Sequence, residues 1–232
     1  MSDVLVITGA RKGIGRYLAE YYIAQGYQVI GCSRQGLDEP LDGYEHFELD
    51  VANEHDVQSM VWNVTKKYGR IDVLINNAGI ATMNHFLLTP KTAVEKIFST
   101  NVFGTFLFAR EVGKIMVSQK KGRIVNFATV ATPLKLEGEA VYAASKAAVN
   151  SLTQVLSHEL APHNITVNAV GPTPVPTDLI KNVPKKKMDA LLNRQAFKRF
   201  GTNEDIANVI DFFIRKESHF ITGQTIYLGG VS

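Results

Sequence analysis

Tyr142 and Lys146 close the run Tyr142-Ala143-Ala144-Ser145-Lys146, a four-residue spacing that puts a phenol and an ammonium on one face of a helix. A free phenol, with a pKa of about 10, is a poor acid–base catalyst at neutral pH, but a nearby cation stabilises its anion. Such a pair can pass a proton to a developing alkoxide. Taken alone, the same spacing also describes an ordinary surface pair.

The start of the chain carries a second chemistry. Thr8-Gly9-Ala10-Arg11-Lys12-Gly13-Ile14-Gly15 lies between a strand-like and a helix-like run. Gly9, Gly13 and Gly15 remove Cβ atoms from a tight turn, so backbone N–H groups and a helix N-terminus can receive a pyrophosphate. A packing turn is the bland alternative. Asn76-Asn77-Ala78-Gly79 forms a second small-residue turn after the fourth strand, and in a doubly wound sheet both turns face one crevice. The second strand ends Cys32-Ser33-Arg34 without the carboxylate that would hold a ribose diol and repel a 2′-phosphate. Ser33 is neutral, Arg34 can pair with phosphate, and Arg11 or Lys12 can approach from the opposite side, which favours NADP(H) over NAD(H). Arg34 also fits as a solvated loop residue. Asp50, followed by Val51, can accept from an adenine amino group or cap the next helix.

Seven strands are expected to position these groups: Asp3–Thr8, Gln28–Cys32, Glu45–Leu49, Asp72–Asn76, Arg123–Ala128, Thr166–Val170 and Thr225–Leu228. Several are almost wholly apolar, as burial on both faces requires. Helical patterns fill most gaps. Gly26 ends the first, Asn53 caps the second with Asp56 three residues on, and Thr89 caps a helix with Pro90 at its first position. Long patterns run over Lys91–Gln119 and Tyr142–Leu160. The expected fold is α/β: a doubly wound Rossmann fold with a seven-stranded, mainly parallel sheet and helices on both faces. One domain spans 1–232, with a substrate lid at about 172–200 where Pro172, Pro174 and Pro176 stiffen a loop before a helical pattern over Asp178–Arg194, interrupted at Pro184.

Composition bounds the rest. The chain has 232 residues, 45% of them hydrophobic, a net charge of +3 and one cysteine, Cys32, so no disulfide can form within it. A reduced, cytoplasmic setting is expected, and Met1-Ser2-Asp3 has no signal-peptide character. No run approaches the roughly 18 apolar residues of a membrane span. The six histidines show no metal-ligand spacing. The lysine pairs Lys66-Lys67 and Lys120-Lys121, and the run Lys185-Lys186-Lys187, read as solvated charge, so no metal, membrane or nucleic acid is expected.

Taken in order, Thr8–Gly15, Asp50, Asn76–Gly79, Asn101, Tyr142/Lys146, Pro172–Thr177 and Ile221-Thr222-Gly223-Gln224 resemble the short-chain dehydrogenase/reductase family over essentially the whole chain. The similarity is greatest to its single-domain, NADP-preferring branch, which includes 3-oxoacyl-carrier-protein reductases. The resemblance implies Tyr142 as general acid/base and Lys146 as the group that holds the nicotinamide ribose and lowers the Tyr142 pKa. It implies Asn101 as support for a proton relay from a kinked helix. Thr129 stands where the family places a serine that bonds the substrate carbonyl, and Thr173 stands where it usually has glycine. Pro172, Val175 and Thr177 match positions near the nicotinamide carboxamide and phosphates. The resemblance also implies a homotetramer or homodimer built partly from the helices of Asn101 and Tyr142.

The leading reading is an NADPH-dependent reductase of a small-molecule carbonyl, reversible in principle. A noncatalytic NADP(H)-binding sensor or scaffold is the alternative, motivated by Thr129 and Thr173, and a dehydratase or epimerase on the same scaffold is a third reading. By position Met83–Leu88, Pro133–Glu139 and the lid form the substrate pocket, with His85, Lys135, Glu137 and the lysine run at 185–187 among their polar residues. Acyl thioester, sugar, steroid-like alcohol and small aldehyde all remain open as substrates.

Overall fold

The computed structural model describes residues 2–231 except Asp38, Leu179 and Asn182. Its strands are β1 (Val4–Thr8), β2 (Gln28–Ser33), β3 (Tyr44–Glu48), β4 (Val73–Asn76), β5 (Gly122–Phe127), β6 (Ile165–Gly171) and β7 (Thr225–Tyr227). They form one sheet in the order β3-β2-β1-β4-β5-β6-β7, every described pairing parallel. The connecting helices are α1 (Gly13–Ala24), α2 (Glu54–Tyr68), α3 (Lys91–Phe98), α4 (Gly104–Gln119), the short α5 (Ala131–Leu134), α6 (Ala140–Leu160), α7 (Lys185–Leu192) and α8 (Asn203–Ile214).

The fully buried strand β1 shows why helices are needed on both faces. Successive side chains point to opposite sides of a strand. Val4 and Val6 accordingly join Met60, Phe108 and Val112 in one core, while Leu5 and Ile7 join Leu18, Tyr22 and Ile210 in the other. Helices α2, α4 and α6 cover the first face; α1 and α8 cover the second.

Local signals account for some helix ends and fail at others. Asn53 caps α2 by accepting from the Asp56 N–H, and Gly26 follows the end of α1 with φ of 85°. Asp50 does not cap α2: it accepts from the Ala52 N–H in the turn before it. Thr89 is no cap either. Its hydroxyl donates to the His85 carbonyl, and Pro90 takes the N-cap position of α3 without a side-chain bond. The run Lys91–Gln119 is divided by a π-turn at Ser99–Phe103 that separates α3 from α4, and Asn101 within it is completely buried. The helix expected over Asp178–Arg194 is shorter. Pro184 disfavours helical backbone before it, so α7 begins only at Lys185; Leu179 and Asn182 of that expectation lie outside the described residues.

The order of the sheet reverses between β1 and β4, so the turns that follow these two strands meet. The Asn77 amide donates to both the Thr8 and Gly9 carbonyls at 3.0 Å, and the Ala78 N–H donates to the Thr8 hydroxyl at 3.0 Å. The N–H groups of Gly9 and Ala10 reach back to the Cys32 carbonyl of β2. Two of the three glycines expected to open the turn to a ligand therefore serve packing. A Cβ on Gly15 would lie 2.2 Å from the Gly9 carbonyl and 2.5 Å from the Asn77 amide; one on Gly9 would lie 2.9 Å from Ala78 Cα. Gly15→Ala must push these turns apart. It is expected to destabilise the fold by about 2 kcal/mol, the scale of overpacking, and to lower the thermal midpoint by roughly 4–8 °C. Thermal unfolding followed by circular dichroism measures this.

Candidate active site

A cleft of about 1060 Å³ opens at the carboxyl ends of β1, β2, β4, β5 and β6, across the switch point. Its walls include Gly9, Arg11, Lys12, Gly13, Ile14 and Gly15 of the first turn, and Asn77, Ala78 and Gly79 of the second. Ser33, Arg34, Asp50 and Val51 line one end; Thr129, Tyr142, Lys146, Pro172, Val175 and Thr177 line the other. Asn101, alone among the expected catalytic and cofactor-binding residues, does not line it.

Helix α6 carries Tyr142 and Lys146 on one face, but the two are not bonded to each other. The buried Lys146 ammonium donates to the Phe127 carbonyl at the end of β5, at 2.7 Å. Burial pulls Lys146 down to about 8. The Tyr142 phenol is pushed up to about 12 by burial; a hydrogen bond from the Thr129 hydroxyl opposes that shift and the Glu139 carboxylate adds to it. The resemblance implies a phenol lowered by Lys146, whereas in this structure burial raises the phenol above its value in water and the opposing group is Thr129. Thr129 accepts from the Ala131 N–H at 3.2 Å, which leaves its own proton to point at Tyr142 or at a substrate oxygen.

Asn101 acts from behind the cleft wall. Its amide accepts from the Ile80 N–H and donates to the Ile80 carbonyl, both at 2.9 Å, and it also donates to Ser145 at 3.0 Å. Ser145 in turn donates to the Tyr142 carbonyl at 2.7 Å. Asn101 thereby ties the second turn to the helix of Tyr142, and a Cβ on Gly79 would stand 3.4 Å from Lys146 Nζ and 3.5 Å from Asn101 Oδ1. Ser145 escaped the sequence reading, although its position between Tyr142 and Lys146 was the available signal. The Phe127 carbonyl left no signal, because every residue carries one.

At the phosphate end, α1 begins with no side-chain cap and no acidic residue in its first turn. Its first N–H groups and the positive end of its dipole therefore face the cleft unopposed. Gly13, at φ of 59°, has only Thr177 near the space a Cβ would fill, at 3.6 Å. These features fit a pyrophosphate. Farther along, Arg34 is exposed with no side-chain hydrogen bond to the described residues, while Arg11 donates to Gln35 at 2.7 Å. Lys12 is paired with Asp178 at the base of the expected lid, so it links the glycine turn to that segment.

The substrate end is narrower than the sequence positions suggested. Met83, Leu136, Glu139, Ile180, Val183 and Leu191 line the cleft, but His85, Lys135, Glu137 and the exposed lysine run at 185–187 do not. Burial raises Glu139, with Lys187 opposing the shift. Thr173 needs no left-handed backbone; its hydroxyl bonds Gln195, and its methyl occupies the space left by Gly201. Among the described residues no group of three or more His, Cys, Asp or Glu residues can hold a metal, and no helix is long and apolar enough to cross a membrane.

An uncapped helix N-terminus at the switch point of a parallel doubly wound sheet defines a Rossmann-type protein. A family model described as enoyl-(acyl carrier protein) reductase matches residues 9–231, and the chain belongs to this family of oxidoreductases, the short-chain dehydrogenase/reductases. The 3-oxoacyl-(acyl-carrier-protein) reductase FabG of Thermotoga maritima is 36% identical over 98% of this chain and 96% of its own length. The enzyme of the same name from Staphylococcus epidermidis is 33% identical over 99% and 98%. Among solved structures, ligand-free aldohexose dehydrogenase of Thermoplasma acidophilum superposes with a TM-score of 0.90 at 28% identity, over 99% of this chain and 94% of that one. ElxO with NADP bound gives 0.90 at 30% identity, over 98% and 97%.

The buried ammonium of Lys146 makes stability depend on pH. Its folded pKa lies below its ordinary value near 10.5, so the charged form costs stability below about pH 8 and that cost is relieved as pH rises. The raised Tyr142 begins to matter only above pH 10, outside this window. Between pH 7 and 9.5 the wild type should gain about 2 kcal/mol relative to Lys146→Met, at 1.36 kcal/mol per pKa unit. Urea unfolding of both proteins at the two pH values gives this difference.

Proposed function

We propose that this protein is an NADPH-dependent reductase that converts a small-molecule carbonyl to an alcohol. The observation that carries this reading is the convergence of the Tyr142 phenol and the Thr129 hydroxyl on the same cleft as the uncapped N-terminus of α1. When bound, the nicotinamide supplies a hydride to the carbonyl carbon.

The chain's own residues account for the rest. The first N–H groups of α1, opened by Gly13, hold the pyrophosphate, and Asn77 and Ala78 keep the facing turn in place. Ser33 and Arg34 receive a 2′-phosphate where a carboxylate would repel it; Asp50 and Val51 border the adenine. Pro172, Val175 and Thr177 border the nicotinamide end. Lys146, fixed by the Phe127 carbonyl, presents its remaining N–H groups towards the ribose. Thr129 and Tyr142 donate to the carbonyl oxygen and stabilise the charge that develops there. Tyr142 then delivers its proton. A phenol near 12 is fully protonated at neutral pH, the form that reduction requires. Asn101 is a positioning residue for this constellation, because its amide holds Ile80 and Ser145.

Residues 172–200 serve as the lid within a single domain, tied to the glycine turn through Lys12 and Asp178. Phe103 of the π-turn, Phe106 on α4 and Val155 on α6 are exposed, in accord with a homodimer or homotetramer built on the helices of Asn101 and Tyr142. A cytoplasmic location suits the single cysteine, which is buried.

Tyr142→Phe is expected to bind NADPH as tightly as wild type and to lose about 10²–10⁴-fold in turnover, the contribution of a general acid. Thr129→Val should lose turnover as well, while Thr129→Ser retains it. The measurement is nicotinamide absorbance with a carbonyl panel that includes a β-ketoacyl thioester. Tight NADPH binding without Tyr142-dependent oxidation of any carbonyl would overturn the reductase reading in favour of a noncatalytic NADP(H) sensor.

A further inference from the structure

From Ser33 a hydrogen-bonded chain that the cofactor reading does not use runs to His46 and Tyr44, which do not line the cleft. His46 on β3 places Nε2 at 2.9 Å from Ser33 Oγ and 3.2 Å from the Gln35 carbonyl, and Nδ1 at 2.9 Å from the Tyr44 hydroxyl. Ser33 Oγ lies 2.6 Å from the Gln35 carbonyl. The room for Tyr44 comes from Gly31: a Cβ there would stand 2.0 Å from the phenol oxygen.

Without a ligand, the donor directions in this chain follow from the Gln35 carbonyl. A carbonyl can only accept, so the Ser33 proton goes to Gln35 and Ser33 Oγ accepts from His46. The neutral imidazole therefore carries its proton on Nε2, and its bare Nδ1 accepts from Tyr44. Burial raises the Tyr44 pKa, which keeps that phenol a donor. His46 Nε2 also lies 3.2 Å from the Gln35 carbonyl, so its N–H can take over that acceptor and release the single Ser33 proton to turn towards an anion in the cleft. A phosphate oxygen accepts such a proton, whereas preference for a ribose 2′-hydroxyl requires an acceptor.

We propose that His46, oriented by Tyr44, is a specificity-determining positioning residue that sets Ser33 as a donor to the 2′-phosphate and adds positive charge beside it when protonated. This rests on the reading of the cleft as an NADP(H) site. The groups facing the ring act in both directions. Burial and Arg11 of the glycine turn hold the imidazole below its ordinary pKa; the Gln35 carbonyl of the loop after β2 and Glu48 of β3 oppose them. Arg16 of α1 acts on the neighbouring Tyr44. A 2′-phosphate beside Ser33 and Arg34 adds negative charge on the opposing side, so binding of the phosphorylated dinucleotide is coupled to proton uptake by His46.

The test is calorimetric titration of the full chain with NADP⁺ and with NAD⁺ at pH 8 and pH 6, for wild type, His46→Gln, His46→Phe and Tyr44→Phe. The 2′-phosphate has its own titration, which is common to all four proteins, so each variant is compared with wild type at the same pH. His46→Phe should reduce the preference for NADP⁺ about 5- to 10-fold while NAD⁺ affinity stays within twofold. His46→Gln, which keeps an N–H donor but cannot titrate, should keep the pH 8 preference and lack the roughly threefold extra preference of wild type at pH 6. Tyr44→Phe should fall between them. Equal preferences in wild type and His46→Phe at both pH values, or equal loss of both cofactors, overturn the proposal while leaving the cofactor site intact. Failure of wild type to bind either dinucleotide overturns the cofactor reading and this inference with it.

Discussion

The Asn77 side chain bonds two backbone carbonyls of the facing turn, and the geometry of the cleft depends on that contact. At the switch point β1 has β2 on one side and β4 on the other, so the segments leaving β1 and β4 diverge to opposite faces and leave a crevice. Without a link between the two turns, that crevice would have no fixed width. The amide donates to both carbonyls, and Gly9 and Gly15 let the turns close on it without side-chain obstruction. The result is a rigid lip from which α1 starts with its N–H groups free to receive an anion.

A second constraint operates at the other end of the cleft. An ammonium is costly to bury, and Lys146 is buried with one hydrogen bond to a carbonyl and its pKa lowered in consequence. The phenol of Tyr142 is raised in the same environment, so the pair differs from what each group would be in water. A proton is easiest to keep on the phenol and easiest to remove from the amine. Perturbation of this kind in a cleft is characteristic of sites that perform chemistry.

Positioning is supplied from outside the cleft. Asn101, held in the π-turn, converts a local defect in the long helix into a three-way tie between Ile80, Ser145 and the start of α6. Thr173 performs a related task at the lid: its hydroxyl reaches Gln195 and its methyl fills the space beside Gly201. Both residues bond partners more than twenty residues away: Asn101 joins the second turn to α6, and Thr173 joins the two ends of the lid.

Interactions that act over a few residues could be read from the sequence alone. Apolar runs specified the central strands, because a strand buried on both faces has few polar choices, while the edge strands β3 and β7 are only partly buried. The four-residue spacing of Tyr142 and Lys146, the Asn53 cap and the glycine-rich turn were equally legible, as each is a property of one turn or one helix. Tertiary structure decided what depends on long-range pairing. It gave Gly9 and Gly15 to packing, directed Lys146 to Phe127 and Lys12 to Asp178, placed Asn101 behind the wall, and set His46 against Ser33. The physical reason is common to these cases: a polar group bonds the partner that folding brings within 3 Å, and sequence spacing specifies that partner only within a single turn or helix.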